Sequence, residues 1–162
     1  MFHLEDIQKS DISLIHQLNE SETPHVSSVT LSELEHLLAE CIYAKKAMEG
    51  GSVAGFLIGF DRKADYSSMN FQWFKSRYPS FFYIDRVVVA RSYKRKGVGR
   101  LLYLDVEQVA RGRELPLVTC EVNIRPPNPE SMAYHTALGY RSVGEQDTEG
   151  GKKRVSLLAK AV

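Results

Sequence analysis

The sequence predicts one α/β domain, residues 1–162, built on a mixed, twisted sheet of six or seven strands with helices on both faces. Three observations lead there. A chain of 162 residues that is 43% hydrophobic and 25% charged has the size and composition of one globular domain with a sizeable core. Between Phe81 and Val122 a strand pattern, a glycine loop, a helical pattern and a second strand pattern follow one another. That is a βαβ unit, whose strands lie parallel. Elsewhere short glycine-bearing turns join neighbouring strand patterns into hairpins, which are antiparallel, so the sheet is mixed.

Each element has its own signature. Phe2 to Ile7 reads as an opening strand, and Ser10 or Asp11 caps a helical pattern with Ile12, Ile15 and Leu18 on one side. After the polar stretch Asn19 to His25, Thr30-Leu31-Ser32-Glu33 forms a capping box for a helix bearing Leu31, Leu34, Leu37 and Leu38. Ile42–Met48 and Val53–Phe60 make a hairpin across Gly50-Gly51. Arg62 to Ser80 is a polar and aromatic connection of a length that usually serves function. Phe81–Val89, rich in aromatic and β-branched residues, is a strand. Val98, Leu101, Leu102, Val106, Val109 and Ala110 keep helical spacing as far as Gly112, and Leu117–Val122 is the next strand. Asn128 as N-cap, Pro129 at the first helical position and Glu130 near the positive end start a helix that stops at Gly139. Arg141–Gly144 and Arg154–Ala159 close the sheet as a last hairpin.

Composition narrows the functional classes. No apolar run approaches the roughly 18 residues of a membrane span, and the N-terminus lacks the basic and long apolar regions of a secretory signal, so the expected address is the cytoplasm. Cys41 and Cys120 read as reduced core thiols. A net charge of +1 gives no global attraction to nucleic acid or anionic membrane. His3, His16, His25 and His36 have no metal-ligand spacing with one another or with the cysteines, so no metal is expected.

The stretch Tyr93-Lys94-Arg95-Lys96-Gly97-Val98-Gly99-Arg100 is a basic, glycine-spaced loop at a helix start. Glycines let backbone approach a ligand closely, and a helix N-terminus presents unpaired N–H groups and the positive end of its dipole, so the loop is an anion cradle. A Walker A loop needs four residues between its glycines, and here one separates Gly97 from Gly99. A dinucleotide fingerprint needs a small residue where Leu102 stands, and only 39 residues follow Asn123 in the 162-residue chain, too few for the usual second half.

Val87-x-Val89 followed by Tyr93 to Gly99 resembles motif A of the GNAT N-acetyltransferase superfamily, Arg/Gln-x-x-Gly-x-Gly/Ala, with Lys94 in the Arg/Gln position. Asn128-x-x-Ser131-x-x-Tyr134-His135-x-x-Leu138-Gly139-Tyr140 is similar to the second signature of that family. The resemblance spans roughly Ile42 to Ala159. It implies an acetyl-CoA (coenzyme A) site: amides from about Arg95 to Arg100, with Gly97, Val98 and Gly99, around the pyrophosphate; Lys94, Arg95, Lys96 and Arg100 as charge-assisted contacts; the backbone of Val87, Val88 and Val89 pairing with the pantetheine arm; and Asn128, Ser131 and His135 on the following helix.

The implied chemistry is attack of an amine on a thioester, which needs a route for the amine proton and an acid for the leaving thiolate. The family often has a tyrosine acid seven residues after the motif Asn; here that position is His135, with Tyr134 before it, about 100° apart on a helix. Both stay candidates. Alternation puts Tyr83, Asp85, Val87 and Val89 on one strand face and Arg86 on the other, making Asp85 the carboxylate expected to act as base, through water. Asn19, Tyr66, Asn70, Trp73, Tyr83 and Asn123 are candidate acceptor contacts. The expected acceptor is a small-molecule amine, with a protein N-terminus or lysine as the first alternative and a non-catalytic CoA-binding module as the second. A homodimer is left open as its assembly.

Overall fold

The longest apolar runs become the middle of the sheet. A computed structural model describes residues 1–162, with strands β1 (His3–Asp6), β2 (Tyr43–Glu49), β3 (Ser52–Asp61), β4 (Phe82–Val89), β5 (Leu117–Arg125), β6 (Arg141–Thr148) and β7 (Lys153–Ala161). They form one sheet in the order β1-β2-β3-β4-β5-β7-β6. Every neighbouring pair is antiparallel except β4 and β5, the pair joined through a helix. The helices are α1 (Ile12–Ser21), α2 (Leu31–Glu40), α3 (Met69–Lys75), α4 (Val98–Gly112) and α5 (Pro129–Ala137).

Two apolar layers sandwich the sheet. On one face Leu102, Tyr103, Val106 and Ala110 of α4 pack on Phe82, Ile84, Val118 and Cys120, with Met132 and Leu138 of the α5 region joining them. On the other, Ile15 of α1, Leu34 and Leu37 of α2, and Phe71 and Phe74 of α3 pack on Phe56, Ile58, Phe60 and Tyr83. Helices on both faces of a mixed sheet are what the strand and helix patterns predict.

Three local expectations change. The connection Arg62–Ser80 contains α3, capped by Ser68 Oγ accepting from Phe71 N at 3.4 Å. Seven residues give too few turns for helical periodicity to stand out in an aromatic-rich stretch. Asp11 precedes α1 but its side chain does not cap it, because both carboxylate oxygens are 2.9 Å from Lys46 Nζ. That ion pair instead ties the start of α1 to β2, and it holds the Asp11 carboxyl below its ordinary value.

The third change matters most for the site. Ile58 pairs with Arg86 and Gly59 with Ile84, so Asp85 is an extra residue, a β-bulge in β4. Strict alternation breaks there. Phe82, Ile84, Val87 and Val89 face α4, whereas Tyr83 and Val88 join the core beneath α1 to α3. Asp85 and Arg86 point to that second side too, bonded to Tyr66 and to Asn19 of α1. The expected grouping of Asp85 with Val87 and Val89, and its separation from Arg86, therefore do not hold.

The start of α4 is set by close approach to β3. A Cβ on Gly55 would stand 2.6 Å from Val88 O and 3.1 Å from Val98 Cγ1. We expect Gly55→Ala to destabilise the fold by about 1–3 kcal/mol, since backbone must shift to admit the methyl. Urea denaturation measures it, and an unchanged midpoint would contradict the close packing.

Candidate functional site

β4 and β5 share only two residue pairs, Phe82 with Val118 and Tyr83 with Thr119, and then part. From Ile84 onward the β4 edge that faces β5 has no strand partner, while β3 pairs with its other edge as far as Val89. A cleft of about 840 Å³ occupies the gap. It passes through the sheet: on one face it is lined by the start of α4 and by α5, on the other by the α1–α2 loop, Tyr66 and the first turn of α3, with the β6–β7 hairpin at its end.

The α4 face holds the anion cradle. Helices α2, α3 and α5 are capped by the side chains of Thr30, Ser68 and Asn128, but α4 begins at Gly97 with no side-chain cap. Gly97 sits at φ 88°, a left-handed conformation that glycine adopts without strain and that turns the loop into the helix. The first intrahelical bond runs from Leu101 N to Gly97 O, so the amides of Val98, Gly99 and Arg100 are left to the cleft. Tyr134 lies across this start, its hydroxyl 3.1 Å from where a Gly99 Cβ would be. Unpaired amides, the helix dipole and Arg100 fit a pyrophosphate, and the free edge of Val87 to Val89 fits an amide-bearing arm. Lys94 Nζ is 2.6 Å from Glu22 Oε1, tying the cradle to the end of α1. Lys96 is not among the cleft residues; its ammonium lies 5.8 Å above the Tyr93 ring.

Deeper on this face His135 is buried between α5 and α4. Its Nδ1 is 2.7 Å from Ser131 O, a carbonyl that can only accept, so Nδ1 bears the proton. Nε2 then accepts from the Tyr103 hydroxyl at 2.7 Å. Burial lowers the His135 pKa, which keeps the ring neutral, and burial raises that of Tyr103. Tyr103, His135 and Ser131 all line the cleft.

On the opposite face stands a carboxylate that the sequence reading assigned no catalytic role. Glu121 Oε1 accepts from Tyr83 Oη at 2.7 Å and from Asn70 Nδ2 at 3.1 Å, and its Oε2 is 2.9 Å from the same Tyr83 hydroxyl. Asn70 is held in turn by Gln146 Nε2 of β6 at 3.0 Å. Loss of water, only partly offset by the Tyr83 hydrogen bond, pushes the Glu121 pKa up to about 8. The signal was present in the sequence: Glu121 is an acidic residue inside the apolar strand pattern Leu117–Val122, on the alternate face from Cys120.

The other predicted residues divide. Val87, Val88, Val89, Arg95, Asn128, Tyr66, Asn70 and Asn123 line the cleft. Asp85 touches it but is engaged by Tyr66 Oη at 2.6 Å and Arg86 Nε at 2.7 Å. Asn19 is buried behind the cleft and binds Arg86, and Tyr83 reaches it only through Glu121. Trp73 is elsewhere: its ring fills the space that a side chain at Gly144 would need, with Arg77 stacked 3.9 Å away. α3 turns Tyr83-facing Phe71 inward and Trp73 toward β6, so the acceptor contact expected of Trp73 is not at the cleft.

The raised Glu121 pKa has a consequence for stability. In the unfolded chain this carboxyl ionises near 4.5, and in the folded protein near 8, so between those values the folded state binds more protons. Stability contributed by this group falls as pH rises through that window and is flat above it. Urea denaturation across the window should show the fall, and Glu121→Gln should remove this share of it; equal pH dependence in both proteins would contradict the assignment.

Comparison with known proteins agrees with this geometry. The structure resembles Ard1 from Thermoplasma volcanium (17% identity, 99% of this chain and 97% of that one, TM-score 0.79). It also resembles NAA60 from Arabidopsis thaliana in complex with acetyl-CoA (14%, 100% of both chains, 0.79). A third likeness is to an IAA acetyltransferase from Bacillus cereus (17%, 100% of both chains, 0.68). At such identities the likeness is one of fold. No curated protein matches the chain by sequence. No helix is long and apolar enough to cross a membrane. The family model for the acetyltransferase (GNAT) family matches residues 12–140, and the chain therefore belongs to that family: it is an acyltransferase whose cofactor is acetyl-CoA.

Proposed function

We propose that the protein is an N-acetyltransferase that moves the acetyl group of acetyl-CoA to a primary amine of a small or amino-acid-like acceptor, by direct attack with both in the cleft at once. The observation that supports this best is Glu121, a carboxylate with a proton affinity raised to about 8, on the face of the cleft opposite the anion cradle. Cofactor and acceptor then reach one point from opposite sides of the sheet, and no enzyme nucleophile is needed. Cys120, the thiol that lines the cleft, is held in its neutral form by burial, which fits a direct route.

Bound acetyl-CoA supplies the activated acetyl group. Glu121 Oε2, which has only the shared Tyr83 contact, takes a proton from the incoming ammonium. An alkylammonium has a pKa of about 10, so a carboxylate near 8 is a much better base for it than an ordinary one near 4. The amine nitrogen bonds to the acetyl carbon as the carbon–sulfur bond breaks; the sulfur takes a proton, and the second proton shed by the nitrogen restores the group that donated it, so the two protons lost by the ammonium end on Glu121 and on the thiol. On the cofactor face the mobile proton of the Tyr103–His135 pair is that of the Tyr103 hydroxyl, because His135 Nδ1–H is given to Ser131 O. Tyr103 is thus the proposed donor, its O–H turning from His135 Nε2 to the sulfur, with Tyr134 a contact at the cradle.

A peptide α-amine is the second reading. The cleft lining extends from Glu22, Pro24 and His25 to Thr148, Glu149 and Lys153, further than one small amine requires, and NAA50 of Arabidopsis, a structure of similar fold (13% identity, TM-score 0.76), is in complex with a bisubstrate analogue containing a peptide. Thiol release from acetyl-CoA across a panel of small amines, amino acids and short peptides tests both readings. Turnover is expected with one class, and tight CoA binding with no turnover on any acceptor would mark a binding module instead. Glu121→Gln should lower kcat by about 10²–10⁴-fold and remove the rise of kcat/KM with pH toward 8, and Tyr103→Phe should lower kcat by a similar order, each with acetyl-CoA affinity kept. Full activity in both would sink the assignment.

The cradle has its own test. Gly99→Glu places a side chain against the Tyr134 hydroxyl and a negative charge among the α4 amides. It should weaken CoA binding by more than about 100-fold, or about 3 kcal/mol, with the fold intact. Calorimetry showing retained affinity would refute the cradle.

A further inference from the structure

One buried pair beside the cleft takes no part in the chemistry above. The β4 bulge puts the consecutive residues Asp85 and Arg86 on the same face, with side chains 4% and 2% exposed. Arg86 donates from Nε to Asp85 Oδ2 at 2.7 Å, from Nη1 to Asn19 Oδ1 at 2.9 Å and Ser27 O at 3.1 Å, and from Nη2 to Ser27 Oγ at 3.2 Å. The other Asp85 oxygen accepts from the Tyr66 hydroxyl at 2.6 Å. Ser27 belongs to the α1–α2 loop and Tyr66 to the segment leading into α3, the two segments that wall the acceptor face of the cleft. A buried ion pair is a poor way to gain stability, because desolvation offsets the attraction. It is a good way to fix geometry, since each of its polar atoms demands its partner.

We propose that the Asp85–Arg86 pair is the positioning device of the acceptor half of the site, locking the Ser27 loop and the Tyr66 segment to β4 on either side of the incoming amine while leaving the cofactor half untouched. Its kinetic consequence rests on the reading of Glu121 as the base; its positional part stands on the contacts alone. The pair also contributes the two charges acting on Glu121 from β4. Asp85 raises the proton affinity of Glu121 and Arg86 lowers it. The remaining neighbours are the Asn70 amide of α3, the hydroxyls of Tyr83, Tyr66 and Tyr103, and the thiol of Cys120, which burial keeps uncharged in the resting protein. Removing one charge of the pair should therefore move Glu121 in a direction fixed by its sign.

The test uses the full chain in three variants. Carbon-13 NMR follows the Glu121 carboxyl through pH, hydrogen exchange follows residues 22–30 and 62–70, and calorimetry measures CoA. Asp85→Asn should lower the Glu121 midpoint by about one pH unit. Arg86→Lys, which keeps the charge and loses the fork, should leave the midpoint in place but speed exchange in residues 22–30 by about tenfold. Tyr66→Phe should speed exchange in residues 62–70 alone, and it remains informative if Asp85→Asn does not fold. CoA affinity should stay within about twofold in every folded variant. An unmoved Glu121 midpoint in Asp85→Asn, unchanged exchange in Arg86→Lys and Tyr66→Phe, or a parallel loss of CoA affinity would each overturn the proposal. Turnover retained in Glu121→Gln would instead remove the base, leaving the exchange and titration results to stand or fall by themselves.

Discussion

The parting of β4 and β5 after two residue pairs is the constraint on which the rest depends. Parallel strands joined through a helix would ordinarily continue side by side, and an open edge inside a domain leaves backbone amides and carbonyls without partners. The sheet tolerates the gap because each strand is held on its far side, β4 by β3 and β5 by β7, in antiparallel ladders that continue past the split. The bulge at Asp85 falls just where the pairing stops, adding a residue to β4 that β5 does not match. Edge groups left without strand partners then face the cleft, which crosses the sheet and is lined from both of its faces.

The two faces are built by different physics. The α4 face is mostly backbone: a glycine-led helix start with no capping side chain, and a strand edge. Its requirements are negative ones, the absence of a Cβ at Gly99 and of a cap on α4, and they leave amide N–H groups as the binding surface. The acceptor face is mostly side chain. Glu121, Asn70 and Gln146, from β5, α3 and β6, form one hydrogen-bonded chain, and Tyr66, Asp85, Arg86 and Ser27, from three further segments, form another.

That difference explains how much could be read in advance. The strands, the βαβ unit, the Thr30 and Asn128 caps and the last hairpin followed from local pattern, and the cradle was legible because Tyr93 to Arg100 are contiguous. Asp85 was misplaced because one bulge residue reverses alternation, and nothing in Ile84-Asp85-Arg86-Val87 marks a bulge. α3 was hidden in seven residues of an aromatic stretch. Glu121 was visible as an odd residue in an apolar strand, but its importance comes from Tyr83 and Asn70, 38 and 51 residues away in the chain. Tyr103 was not among the apolar positions read for α4; it lies in the core, and its hydroxyl reaches His135 only because α4 and α5 are brought together on one face.

His135 and Tyr103 show how two helices can share one buried polar pair. The second signature of the family favours a tyrosine where this chain has histidine, and an imidazole is shorter than a phenol. Here the imidazole is turned so that Ser131 O takes one nitrogen and the Tyr103 hydroxyl the other, which seats a phenol of the neighbouring helix against the ring. Burial of His135 holds the ring unprotonated, so its Nε2 accepts from the phenol and fixes the hydroxyl in the resting site. The aromatic edges of Tyr134 and Tyr140 against the same imidazole, at 5.6 and 5.5 Å, leave it little freedom to turn. The substitution at 135 and the tyrosine at 103 are therefore one arrangement, and either residue alone would leave a buried polar atom without a partner.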